Sequence, residues 1–481
     1  MKKTILVIGA GPAGLTAALQ LVKEGHRVEV FESSEHVGGM SRSFELWGQR
    51  VDLGPHRFFS MDDRINAFWK EHAGKDFILV NRLTRIFYNK KFFLYPIKAL
   101  DALSRLGIWE SFLCGWSYFI AQFRKRGNEK TFEEWVSNRF GYRLYSIFFK
   151  SYSERLWGIP CTQLDADFAA QRIKGLSLGE VIKSALSAKA GKKHKTLVDQ
   201  FAYPLLGCGQ AYQNLTNEFL RLGGTLHLNS HVKKILVEPA LPPPSHAQRP
   251  FKLTGIELIN GQTVFADHVI STAPFTDMIL AIPQLNDVHA YAKELTYRNT
   301  TLVFLKIDQK DIFKDNWIYV HEKNLQTGRI SNFRNWSPAM YGTHDEAILC
   351  LEYWSYDMDA LWTMGDADLI ALAKREITET ALVAASAILD GHVVRMHRSY
   401  PVYSCGYREK LEKLQRAAGT ISGVHFIGRN GSFKYNNQDH SILMGLLVAE
   451  NIVQCACHNL WSINTDYDYQ EGQSSLIKNE Q

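Results

Sequence analysis

The sequence predicts an α/β protein: a parallel sheet with helices, gathered from separated segments of chain, plus a helical lobe and a lobe on an antiparallel sheet. Three observations predict it. Thr4 to Ile8 is a short apolar, β-branched run that enters Gly9-Ala10-Gly11-Pro12-Ala13-Gly14 and then an Ala/Leu-rich helix pattern to Val22. A second strand, Val28 to Phe31, ends in an acid, Glu32. Far along the chain a strand again ends at a glycine, Gly428, and a helix starts near Ser441.

Strand, glycine turn, helix, strand, acid is the dinucleotide-binding unit with its context intact. Gly9 permits the tight turn, Gly11 lets a pyrophosphate approach the backbone, and Gly14 lets helix and strand pack closely. Ala13 lies in the first turn of that helix, whose free N–H groups and positive dipole end suit a diphosphate. Glu32 stands at the spacing expected for ribose hydroxyls.

The chain of 481 residues is long for one core, so two or three lobes are expected. A formal charge of +6 favours anionic small molecules over extended nucleic-acid binding, and no basic-aromatic array suggests the latter. Seven scattered cysteines form no disulfide framework, and Cys455 and Cys457 read as helix residues rather than metal ligands. No metal is expected. With the first strand at the very start and no apolar run of about 20 residues, a cytoplasmic setting is expected. Ser111 to Ala121 reads as a buried helix. Its alternative, with Arg124-Lys125-Arg126 following, is a peripheral contact over 111–126 at the inner face of a membrane.

In chain order, 1–75, 196–275 and 418–460 are expected to form the nucleotide domain. Residues 76–195 give a mainly helical lobe, 276–417 a sheet-based substrate domain, and 461–481 a polar tail. Phe77 to Tyr95 reads as two strands about Asn89-Lys90-Lys91, and Ala188 to Lys195 as a solvated basic loop. Pro239 to Pro250 reads as a hairpin insertion, and Asp366 to Leu389 as one helix.

Gly38-Gly39-Met40-Ser41-Arg42-Ser43 resembles the FAD-binding superfamily of amine oxidases, protoporphyrinogen oxidase, phytoene desaturases and UDP-galactopyranose mutase. The resemblance implies FAD rather than the alternative, NAD, with Gly39, Ser41 and Arg42 on the flavin side of the pyrophosphate. Gly54-Pro55-His56 resembles the segment beside the isoalloxazine. Val232, Gly428, Arg429, Asp439 and Ser441 complete the implied cofactor set. Gly428-Arg429-Asn430-Gly431 through Tyr435 and Asn437 resembles the closing motif of the mutases, in which Arg429, Tyr435 and Asn437 would serve flavin and substrate. Tyr152 to Pro160 with Arg172, Gly328-Arg329, and Tyr400-Pro401 resemble three further mutase segments, with Arg172, Arg329 and Tyr400 implied on a substrate diphosphate. Their plain alternatives are a surface cation, a strand-end charge and a packed edge residue. Trp157 is expected at the rim of the cleft.

The implied activity interconverts pyranose and furanose forms of a nucleotide-linked sugar through N5 of reduced FAD, which NAD(P)H or another donor would reduce. Phe201 to Gln210 instead resembles the protoporphyrinogen-oxidase and desaturase branch. That carries the second reading, hydride transfer to flavin from an amine, porphyrinogen or lipid-like substrate.

Overall fold

Thr4–Ile8 (β1) is the middle strand of a five-stranded parallel sheet. His268–Ser271 and Arg27–Phe31 (β2) flank it, and Val424–Phe426 and Thr225–His227 form the edges. The computed structural model describes residues 2–75, 77–97, 99–123, 127, 129–173, 200–240 and 250–464. A parallel sheet needs cover on both faces, which is why Ile5, Leu6 and Val7 are a continuous apolar run and wholly buried. Pro12–Lys23 (α1) supplies part of that cover through Leu15, Ala18 and Leu19. The last long helix, Gln438–Val453, crosses α1 closely because Gly445 lacks a side chain. A Cβ there would stand 2.7 Å from the Ala13 carbonyl oxygen.

A seven-stranded sheet forms the second layer system, in the order Ile388–Pro401, Tyr297–Ile307, Ala347–Ser355, Arg329–Asn332, Trp317–Val320, Thr84–Tyr88, Lys91–Leu94. All its pairings are antiparallel except Thr84–Tyr88 with Trp317–Val320. The hairpin of residues 84–94 thus adds to this sheet, although it lies in the stretch assigned to the helical lobe. The single helix expected over 366–389 is also corrected. It ends at Glu379, and Ile388 opens a fourteen-residue strand. Ala381 breaks the helix with a positive φ of 59°, and the run His392-Val393-Val394-Arg395 that follows is β-branched at its centre.

The helical lobe contains Ala99–Leu106, Ile108–Phe123, Phe132–Phe140, Tyr142–Tyr145, Ser151–Trp157 and Ala166–Ile173. Thr131 and Glu134 start the third of these with a reciprocal capping box (3.2 and 3.1 Å). Contrary to expectation, Ile108–Phe123 is not a buried helix: of its residues only Cys114 and Ala121 are buried. Val232–Pro239 and Phe251–Leu258 pair antiparallel, Pro239 facing Phe251, so the proline-rich insertion does join a hairpin. Its residues 241–249, the basic stretch 188–195 and the tail from 465 lie outside the described residues. Cys455 and Cys457 are not helical either. They follow the end of the last long helix, exposed, and all seven cysteines are unpaired.

Candidate active site

The glycine turn is tied down by its own backbone. Gly9 N–H donates to the Phe31 carbonyl (2.8 Å) and Gly38 N–H to that of Ala10 (2.8 Å). Glu32 braces the same turn: Oε2 accepts from Ala10 N–H (2.7 Å) and Oε1 from Ser34 N–H (2.9 Å). Gly9 has a positive φ of 98°, and Gly14 lies so close to it that a Cβ would fall 2.1 Å from the Gly9 carbonyl oxygen. Gly14 is therefore the packing glycine and does not line the cavity. At Gly11 a Cβ would meet only the Gly39 Cα, at 4.0 Å, so these two glycines form facing lips of backbone. No side chain caps α1, which leaves its first N–H groups available to an anion.

These lips open on a cavity of about 730 Å³. Among its lining residues are Gly9, Gly11, Ala13, Glu32, Gly39 and Ser41, then Pro55, His56, Val232, Gly428 and Ser441. Arg329, Arg429, Tyr435 and Asn437 line it too. The structure thus brings both ends of the chain to one space.

Four buried polar atoms of the sequence-assigned cofactor residues find no partner in the protein: Arg42 Nε, His56 Nδ1 and both carboxylate oxygens of Asp439. His440 Nδ1 lies 3.2 Å from Asp439 but accepts from Asn437 N–H (3.3 Å). Buried groups left unpaired cost about 1–3 kcal/mol each. Of these residues His56 lines the cavity, where a polar ligand is its natural complement, whereas Arg42 and Asp439 are not in the cavity wall. The glycine lips, the open helix start and the unpaired His56 Nδ1 fit a dinucleotide. Burial, reinforced by Arg429 and Arg329, lowers His56 to about 3, so its ring is neutral and does not serve as a cation or as a general base near neutral pH.

Of the residues assigned to a substrate, Arg329, Arg429, Tyr435 and Asn437 line the cavity. Arg429 donates to the carbonyls of Asn436 (2.9 Å) and Ser399 (3.3 Å), and its guanidinium sits 4.8 Å from the Tyr435 ring centre and 5.3 Å from that of Tyr400. Tyr400 packs beside these groups. It is buried, stacked behind Tyr435 at 5.4 Å, and does not line the cavity. Arg329 lines the cavity but its charge is taken by Glu352, in two hydrogen bonds of 2.6 and 2.5 Å. Arg172 lies in the helix Ala166–Ile173, and its side chain is outside the described residues. Gly54, with a positive φ of 97°, lies against Glu352 and His56 rather than in the cavity wall. Trp157 is wholly buried, not at a rim.

Sequence reasoning missed Arg82, Trp317, Tyr319 and His321, all in the cavity wall. The last three alternate along one strand and its end, a period-of-two signal legible in Trp-Ile-Tyr-Val-His. Arg82 packs over the rings of Tyr95 (5.4 Å) and Trp317 (5.6 Å), a placement no local pattern announces. Ile97, Phe132, Phe148 and Phe149 extend the wall into the helical lobe as an aromatic arm.

A parallel sheet with a glycine cradle, an antiparallel sheet beside it and a cavity lined by both define a flavoenzyme of the FAD-binding α/β type. The chain belongs to the flavin containing amine oxidoreductase family, whose model matches residues 12–453. FAD is its cofactor, as the second glycine pair implied. It is 27% identical over 174 residues to a probable UDP-galactopyranose mutase of Klebsiella pneumoniae, covering 34% of this chain and 43% of that protein. It is 53% identical over 58 residues to a 1-hydroxycarotenoid 3,4-desaturase of Flavobacterium sp. (strain P99-3), 12% of each chain. The matches thus span less than half the length of either relative. The fold is that of a reduced UDP-galactopyranose mutase crystal structure (TM-score 0.80, 19% identity, 100% of this chain and 98% of that one). It is also that of a putative protoporphyrinogen oxidase from Exiguobacterium sp. 255-15 (TM-score 0.71, 15% identity, 95% and 100%).

Proposed function

We propose that this flavoenzyme is mutase-like and acts on a phosphorylated sugar, a nucleotide diphosphate sugar being the reference substrate. One observation carries the reading. Arg82 and Arg429 both line the cavity, and neither meets a carboxylate among the described residues. Two guanidiniums without acids suit phosphate oxygens, because each offers a planar fork of donors and keeps its charge. Tyr435 and Asn437 orient the bound group, while neutral His56 and backbone at Pro55 face the ring side of the cofactor. FAD held by the glycine lips, once reduced by NAD(P)H or another donor, would supply the electron pair for opening and reclosing the sugar. The placement that goes with this reading is cytoplasmic, with a peripheral contact at the inner face of the membrane and a role in cell-envelope polysaccharide.

The aromatic arm favours a second reading, hydride transfer to flavin from a lipid-like substrate, with amines or porphyrinogens as further candidates. One experiment separates them. The protein, reduced with dithionite, is offered UDP-galactose and related nucleotide sugars. Ring-contracted product without net flavin oxidation supports the mutase reading, and substrate oxidation that consumes oxygen and releases peroxide overturns it.

A further inference from the structure

The helix Ile108–Phe123 turns an apolar face outward. Trp109, Phe112, Trp116, Phe119 and Phe123 recur at intervals of three and four and so form one stripe, each between 53% and 73% exposed. The rings touch along it: Trp109 and Phe112 at 6.0 Å, Trp116 and Phe119 at 5.8 Å, Phe119 and Phe123 at 4.8 Å. Glu110, the helix's acid, is turned to Arg143 in a bidentate pair (2.5 and 2.7 Å), so it leaves the stripe uncharged. A contiguous aromatic face of this kind marks an interaction surface rather than ordinary surface scatter.

Its chemistry selects the occupant. Tryptophan and phenylalanine on a helix without charge from Ser111 to Phe123 suit the boundary between lipid headgroups and acyl chains. The sequence then continues Arg124-Lys125-Arg126, a charge that complements anionic headgroups. The helix is also too short and too mixed to cross: among the described residues no helix is long and apolar enough to span a membrane. The aromatic arm of the cavity lies in this same lobe, with Phe132 and Phe148 sharing one core with Cys114 of the helix.

We propose that the outer face of Ile108–Phe123 is a docking surface for an anionic bilayer, lying in the interface plane. It deepens the peripheral placement given above, and its test reads binding alone, so a failed mutase assay leaves it standing and the reverse. The FAD-loaded chain is floated with vesicles of phosphatidylcholine and phosphatidylglycerol, beside vesicles of phosphatidylcholine alone. Oligomeric state is read by light scattering. The chain is expected to float with the anionic vesicles, and less at high salt. Trp116→Glu/Phe119→Glu is expected to keep its flavin spectrum and lose vesicle partitioning by roughly tenfold or more. The single variant Phe123→Glu repeats the test at the most exposed ring of the stripe. The proposal is overturned if the chain stays unbound on anionic vesicles, or if the variants float unchanged. It is equally overturned if the chain is a dimer that these variants dissociate, since a second copy then covers the stripe.

Discussion

Arg329 and Glu352 stand directly opposite each other on neighbouring antiparallel strands, and the guanidinium meets both carboxylate oxygens (2.6 and 2.5 Å). Burial works against the charge, but Glu352 more than offsets it and holds the arginine ionised. Removing one member leaves the other stranded at about 3–5 kcal/mol, whereas removing both does not. Arg329→Met and Glu352→Gln are each expected to destabilise by about 3 kcal/mol, and the double variant by clearly less than their sum. Denaturant unfolding of the four proteins checks this. Losses that simply add would mean the pair does not act as one in solution.

The glycine turn separates folding from cofactor binding. Gly14→Ala drives a methyl to 2.1 Å from a backbone oxygen, which nothing flexible can relieve. Gly11 has an ordinary φ of −83° and open space, so Gly11→Ala strains nothing but crowds the lip facing Gly39. Gly14→Ala is expected to lower both stability and flavin content. Gly11→Ala is expected to lower flavin content alone, with apoprotein melting unchanged. Flavin absorbance per protein and a thermal melt distinguish the two.

Arg82 is half-buried and leaves no acid unpaired when it is removed. Arg82→Gln is expected to weaken UDP binding by roughly tenfold, the worth of one charge-assisted contact, while flavin content and stability stay near wild type. Calorimetric titration of UDP into the FAD-loaded protein measures it. Unchanged affinity would remove Arg82 from the substrate site.

How far the chain was legible follows from which interactions are local. The cradle was readable because Gly9, Gly11, Gly14 and Glu32 act within one strand-turn-helix-strand unit whose spacing is fixed. The closing loop was readable for the same reason, Arg429 bonding to Asn436 a few residues on. Arg329 was found, but its neutralisation by Glu352 depends on strand register, which single-sequence reading does not supply. Arg82 escaped because its partners Tyr95 and Trp317 come from different parts of the sheet system. The start of the strand Ile388–Pro401 was hidden because the Ala-rich stretch Ala381 to Ala387 carries helix-favouring composition past the break at Ala381.

Asp52, just ahead of the Gly54-Pro55-His56 segment, is wholly buried and collects three donors: Ser43 Oγ–H (2.5 Å), Tyr203 O–H (2.5 Å) and Cys208 N–H (3.1 Å). Burial outweighs them and pushes its carboxyl from 3.8 up to about 6. Between those values the folded chain holds a proton that the unfolded chain has released. Stability from this group therefore falls as pH rises from about 4 to about 6, by about 3 kcal/mol in all, and is level above that. Asp52→Asn cannot ionise, so the difference in unfolding free energy between wild type and variant should carry the slope. Denaturant midpoints at steps across that window measure it. A difference that does not change with pH would show that Asp52 titrates at the same pH in both states.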